Sequence, residues 1–133
     1  MNVFVDTSVW SLAFRRDAST APEVRLLARS LGMGDTVVTT GLVLQELLQG
    51  FQGPRATDQI IRYFALLPVI TPEIDDHIEA ARLRNFCRRK GIQVETIDAL
   101  IAQLCIRHEL QLLTTDGDFQ HMAKHMPLSL LTP

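Results

Sequence analysis

Short apolar runs alternate with amphipathic stretches along the whole chain. Asn2-Val3-Phe4-Val5 is a run of β-type residues without polar alternation, the pattern of a strand buried on both faces. A short helix is expected over Val9–Phe14, with Ser8 as its candidate cap. Thr20 and Glu23 stand at capping-box spacing with Pro22 between them, so a second helix should run to about Leu31, where Gly32 and Gly34 end it. Thr36-Val37-Val38-Thr39 reads as the second strand, and Leu42–Gln49 as a helix broken by Gly50, Gly53 and Pro54. A further helix covers about Ala56–Leu67, and Val69-Ile70, between Pro68 and Pro72, reads as a short third strand. Glu73–Lys90 is a long helix stopped by Gly91. Thr96 opens an almost wholly apolar helix over Ile97–His108. Leu110–Thr114 is the fourth strand, Phe119–Lys124 a short helix, and Leu128–Leu131 a last strand.

Strands that alternate with helices predict a parallel sheet covered on both faces. Right-handed crossovers make this a three-layer α/β/α sandwich with five strands. Neither an internal repeat nor a low-complexity tract interrupts the pattern. Ligand chemistry in such a fold belongs at the carboxyl ends of the strands.

Composition narrows the picture. The 133 residues, 47% of them hydrophobic, predict one domain over 1–133 that buries a core without a disulfide or zinc staple. No apolar run approaches a membrane span, and Met1-Asn2-Val3 lacks a signal peptide's basic flank. Cys87 and Cys105 are too few for a secreted framework, so a reducing cytoplasm is expected. Lys and Arg number 13 against 15 Asp and Glu, a net charge of −2 that gives no footprint for non-specific nucleic-acid binding. If phosphates are to approach, something other than net charge must bring them in.

Four carboxylates fall at the expected ligand edge. Asp6 is the first residue beyond the first strand, and Asp116 follows the fourth. Glu46 lies in the helix that leaves the second strand. Asp98 lies in the first turn of a helix that runs back along the sheet, so its beginning also sits at the carboxyl edge. Alone, Asp6 and Asp116 have an ordinary explanation as turn or cap residues, and Asp98 as a complement to the helix dipole. Together they do not. Val94, Ile101, Ala102 and Cys105 share the helical face of Asp98, and Leu42, Val43 and Gly50 surround Glu46. Carboxylates among such neighbours are costly unless a cation or donors accompany them. An all-oxygen set suits a hard ion, Mg²⁺ or Mn²⁺, and such an ion can polarise a phosphodiester.

The segment Val3-Phe4-Val5-Asp6-Thr7-Ser8 resembles the opening motif of PIN-domain ribonucleases. Glu46 in a Leu-rich helix, then Asp98-Ala99-Leu100-Ile101-Ala102, then Thr114-Thr115-Asp116-Gly117-Asp118-Phe119 resemble that family's remaining motifs in order. The likeness spans nearly the whole chain, whose length resembles that of the compact VapC-type toxins of toxin–antitoxin pairs. It implies that Asp6, Glu46, Asp98 and Asp116 hold Mg²⁺ or Mn²⁺ and cut RNA. It further implies a five-stranded parallel sheet, a homodimer and a cognate antitoxin that blocks the cleft. Asp118 matches the second acid of the last motif and stands either as a helix cap or as a water-mediated metal contact. Thr7, Ser8 and Thr115 are candidates to hydrogen-bond the ligand carboxylates.

His121 and His125 are one helical turn apart, yet no third ligand of matching type stands near, and they read as surface residues. Trp10 reads as packing, and both cysteines as core. Arg15 and Arg16 are the RNA-binding candidates, whereas Arg82, Arg84, Arg88, Arg89 and Lys90 read as a solvated helix face. Leu44, Leu47, Leu48, Phe51, Ile60, Ile61, Tyr63 and Phe64 are core or part of a partner groove. A haloacid-dehalogenase-type phosphatase would need a second Asp two positions after Asp6, where this chain has Ser8. A phospho-receiver domain lacks its paired acids, and no Gly-rich phosphate loop exists. A non-catalytic RNA-binding or regulatory module that keeps the fold is the first alternative, and a metal-dependent phosphatase the second.

Overall fold

The computed structural model describes residues 1–15 and 20–133. Strand β1 (Asn2–Val5) leads into helix α1 (Thr7–Phe14), and α2 (Pro22–Gly32) returns to β2 (Thr36–Val38). Helices α3 (Gly41–Gly50), α4 (Pro54–Phe64), α5 (Ile74–Arg89) and α6 (Thr96–Arg107) then precede β3 (Gln111–Leu113). Helix α7 (Gly117–Ala123) and β4 (Ser129–Leu130) complete the order.

The sheet is parallel throughout, in the order β2-β1-β3-β4. Val3, Phe4 and Val5 of β1 are 0% exposed, so both faces of the central strand are covered, as an unbroken apolar run requires. After β1 the chain steps to one side for β2 and later to the other for β3. The carboxyl ends of β1 and β3 therefore flank the point where strand order reverses, the place where open α/β sheets bind ligands. This is the α/β sandwich expected from the alternation.

The fifth strand is the principal correction. Val69 makes only an isolated parallel bridge to Thr39, beyond the end of β2. Thr39 N–H donates to the Pro68 carbonyl at 3.0 Å, and Ile70 N–H to the Thr39 carbonyl at 2.8 Å. Pro68 and Pro72 bracket the segment and have no N–H to extend a ladder, so pairing stops after one step.

Helix starts also differ from expectation. Helix α1 begins at Thr7 with Asp6 at its cap position, so Ser8 lies inside the helix. Helix α2 begins at Pro22 behind Ala21, and the Thr20–Glu23 capping box does not form. Proline at the first position presets the helical φ and has no N–H to satisfy, which lets α2 start without a side-chain cap. Conversely, Glu73 caps α5, and its N–H donates to Asp76 Oδ2 at 2.9 Å. Gly91 ends α5 as expected, at φ 78°, with its N–H on the Arg88 carbonyl and Ile92 N–H on that of Cys87.

Helices α5 and α6 pack along each other. Arg107 on α6 grips the buried carboxylate of Asp76 on α5 through two hydrogen bonds of 2.6 and 2.7 Å. That bidentate pair ties the last turn of α6 to the first turn of α5. The guanidinium holds the Asp76 carboxyl below the usual carboxylate range.

Candidate active site

Asp6 is carried past the end of β1 by a ladder that continues one step, since its N–H donates to the Leu113 carbonyl at 2.9 Å. Its side chain is 6% exposed, at the floor of the carboxyl edge. Ser8 Oγ and Thr114 Oγ1 both donate to Asp6 Oδ2, at 2.8 and 2.9 Å. Among the described residues, neither these hydroxyls nor any other donor takes Oδ1. Thr7 Oγ1 donates to Glu46 Oε1 at 3.0 Å, tying α3 to the start of α1. Asp116 Oδ1 accepts the Asp118 N–H at 2.9 Å as the cap of α7. Three carboxylates from three elements thus each have one oxygen fixed by a protein donor and the other left over.

Asp98, in the first turn of α6, completes the set. Burial pushes its carboxyl up to about 7, and the charges of Asp6, Asp116, Glu95 and Glu46 add to the rise. The four predicted acids therefore share one electrostatic neighbourhood, as their places in the sequence implied. Among the described residues no three His, Cys, Asp or Glu side chains are gathered into a closed metal shell. The acids act on one another through charge at a more open spacing. An all-oxygen, anion-rich and half-open set fits Mg²⁺, which keeps several waters and binds through one or two carboxylates.

Other predicted residues sort themselves. Thr7 and Ser8 do bond site carboxylates. Thr115 does not, because its hydroxyl is exposed and only its N–H is used, donating to Ser8 Oγ at 3.1 Å. Thr114 is the residue that sequence reasoning passed over. It donates to Asp6 and accepts the Asp116 N–H at 3.0 Å, linking two acids through one hydroxyl. Strand alternation carries the signal: Leu113 is buried in the sheet, so Thr114 turns to the other side. Glu95 was likewise missed, although it stands one helical turn before Asp98 and loads it with further negative charge.

Asp118 is not the cap of α7, since Asp116 holds that position and the helix begins at Gly117. Its exposed side chain lines a groove beside Glu95. Arg15 is exposed at the far end of α1, a whole eight-residue helix from Asp6, and Arg16 lies outside the described residues. Trp10 packs against the rings of Phe14, Tyr63 and Phe64 as expected of a core residue. Cys105 is buried beneath the site, and burial together with Asp6 pushes its thiol far up. His121 and His125 are both exposed. Leu47, Ile60 and Phe64 are core, whereas Ile61 on α4 is 50% exposed.

A parallel sheet whose strand order reverses between β1 and β3, with four acids sharing one electrostatic neighbourhood there, defines an α/β domain with an acidic carboxyl edge. The PIN-domain family profile matches residues 3–125, and the chain belongs to that family. Within it, the chain is 32% identical over 131 residues to the VapC ribonuclease Mb1587 of Mycobacterium bovis, covering 92% of each chain. Ribonuclease VapC11 of Mycobacterium tuberculosis is similar to the same extent. Among solved structures, VapBC2 from Rickettsia felis, bound to a DNA fragment from its promoter, superposes with a TM-score of 0.77 at 19% identity, covering 98% of each chain. VapC20 of Mycobacterium tuberculosis, a toxin that cleaves the sarcin–ricin loop, superposes with a TM-score of 0.72 at 22% identity, covering 98% of this chain and 99% of its own.

Proposed function

We propose that this protein is a divalent-metal-dependent endoribonuclease, the toxin of a type II toxin–antitoxin pair. The observation that carries the reading is the charge coupling of Asp6, Glu46, Asp98 and Asp116, brought from four parts of the chain to the switch point, with hydroxyls of α1 and of Thr114, just past β3, bonded to the first two. The ribonuclease relatives and the toxin–antitoxin complexes among the structural neighbours support it. One domain over 1–133, a homodimer, a cytoplasmic location and a cognate antitoxin that covers the cleft complete the proposal. Among the described residues no helix is long and apolar enough to cross a membrane.

Asp6, Asp98, Glu46 and Asp116 are the residues that would hold Mg²⁺ or Mn²⁺, with Asp118 reached through water. The bound cation supplies polarisation of the phosphodiester, charge neutralisation at the leaving oxygen and a reversed local field that admits an anionic backbone. The side chains supply orientation. Ser8 and Thr114 hold one oxygen of Asp6 and leave the other without a protein donor among the described residues, and Thr7 does the same for Glu46. Asp98, whose carboxyl titrates near 7, is the acid most readily switched between neutral and charged forms by a neighbouring cation.

The test is Mn²⁺ titration of the purified protein with a labelled structured RNA. The reading expects fragments whose yield rises with Mn²⁺ and vanishes in Asp98→Asn. Stoichiometric binding without fragments would make the protein a non-catalytic module. Phosphate release from a small ester in place of RNA cleavage would make it a phosphatase.

A further inference from the structure

Arg82, Arg88, Arg89 and Lys90 of the basic run are exposed, as a solvated face requires, but the residues of the run differ in what they touch. Arg82 is engaged with Glu79 at 2.6 Å, and Lys90 lies over the Phe86 ring at 5.7 Å from its centroid. Arg84 and Arg88 differ. They are one turn apart and line a single groove of about 560 Å³ together with Gly91, Val94, Glu95 and Asp118. Among the described residues neither arginine forms a salt bridge. Arg84 is half-buried, and its Nε donates to the Val94 carbonyl at 2.7 Å, which holds the guanidinium along the groove wall with its other N–H groups uncommitted. Arg88 stands one turn further on, about 6 Å along the helix axis. The Gly91 turn at φ 78° forms the end of the groove.

The groove opens onto the carboxylate edge at both acids that line it. Glu95 precedes Asp98 by one helical turn and acts on it through charge. Asp118 follows Asp116 by two residues, and its N–H is bonded to that residue's carboxylate. We propose that this groove is the track of the RNA strand leaving the cleft, with Arg84 and Arg88 holding successive backbone phosphates beyond the scissile one. This rests on the ribonuclease reading above. The mixed lining favours RNA over an acidic peptide. The guanidiniums match phosphate, whereas Glu95 and Asp118 are acceptors for base N–H groups and the 2′-hydroxyl, which an acidic side chain cannot offer. A chain with net charge −2 needs such a local basic track if a polyanion is to stay bound.

The experiment uses the full chain carrying Asp98→Asn, so that RNA stays intact, and follows binding of a labelled single-stranded RNA across a salt series. Arg88→Gln is expected to weaken binding about fivefold and to lower the log–log salt slope by about 0.7, the loss of one single-strand phosphate contact. Arg89→Gln, an equal charge change on an exposed neighbour outside the groove, should stay within about twofold. Equal effects of the two variants, no effect of either, or no RNA binding at all would overturn the groove assignment. So would displacement of the RNA by polyglutamate that is itself sensitive to Arg88→Gln. Cleavage by the otherwise unaltered protein is scored separately. Arg88-dependent binding without cleavage sinks the ribonuclease reading and keeps the RNA track. Cleavage with Arg88-independent binding does the reverse.

Discussion

Asp98 concentrates the physics of the site. Its carboxyl sits near 7 instead of the ordinary 3.8 because burial and four neighbouring acids penalise its charge. A folded value above the unfolded one gives stability that is present below about pH 4 and is lost as pH rises through about 7. Without added divalent ion, Tm is therefore expected to fall between about pH 4 and 7 and to level off above that. Asp98→Asn should flatten that fall, raise Tm at pH 8 and abolish cleavage; a profile identical to the parent's would remove Asp98 from the cluster. Thr114 is the second residue on which the site turns. Thr114→Val removes the donor to Asp6 and the acceptor for the Asp116 N–H, at a cost of about 1 kcal/mol in denaturant unfolding and about tenfold in cleavage rate. Thr114→Ser should recover most of both, since it keeps the hydroxyl. The acids were legible in the sequence because a carboxylate next to Val5, or among Ile101, Ala102 and Cys105, is anomalous without a partner. Thr114 was not, because a threonine at a strand end is ordinary until its geometry is known.

Elements were legible where burial and period agree. Val3–Val5 of strand β1 are fully buried and helix α6 buries six of its twelve residues, and each was marked by a largely apolar stretch. Capping was read less well. Thr20 and Glu23 have the right spacing, but Pro22 starts α2 one residue too late for them. Asp118 lost the cap of α7 to Asp116, which also belongs to the site. The Val69-Ile70 segment has strand composition and even finds the sheet edge, but flanking prolines limit it to one bridge. The Asp76–Arg107 pair was invisible, since it joins positions 31 apart on two helices that only packing aligns. Arg107 holds the Asp76 carboxyl low, so this pair gives stability that is present above the unfolded value of 3.8 and is lost as pH falls below it. Asp76→Ala leaves Arg107 without its partner and releases α5 from α6. A lower Tm, measured by calorimetry, is expected together with weaker acid dependence. An unchanged Tm would show that α6 is placed by apolar packing alone.

At the scale of the whole molecule, a slightly acidic chain is organised around a still more acidic cleft, so on the proposed reading an anionic substrate needs a bound cation to offset the charge at the acids themselves. Among the described residues the fold places the acids without bringing them into a closed shell, which would leave room for the waters of the proposed ion and for phosphate oxygens. Calorimetric titration with Mn²⁺, on the complete chain near neutral pH, tests the central claim most directly. Saturable binding is expected in the parent protein, with affinity falling at least tenfold in each of Asp6→Asn and Asp98→Asn. Equal affinity and stoichiometry in all three proteins would show that these carboxylates do not hold the ion.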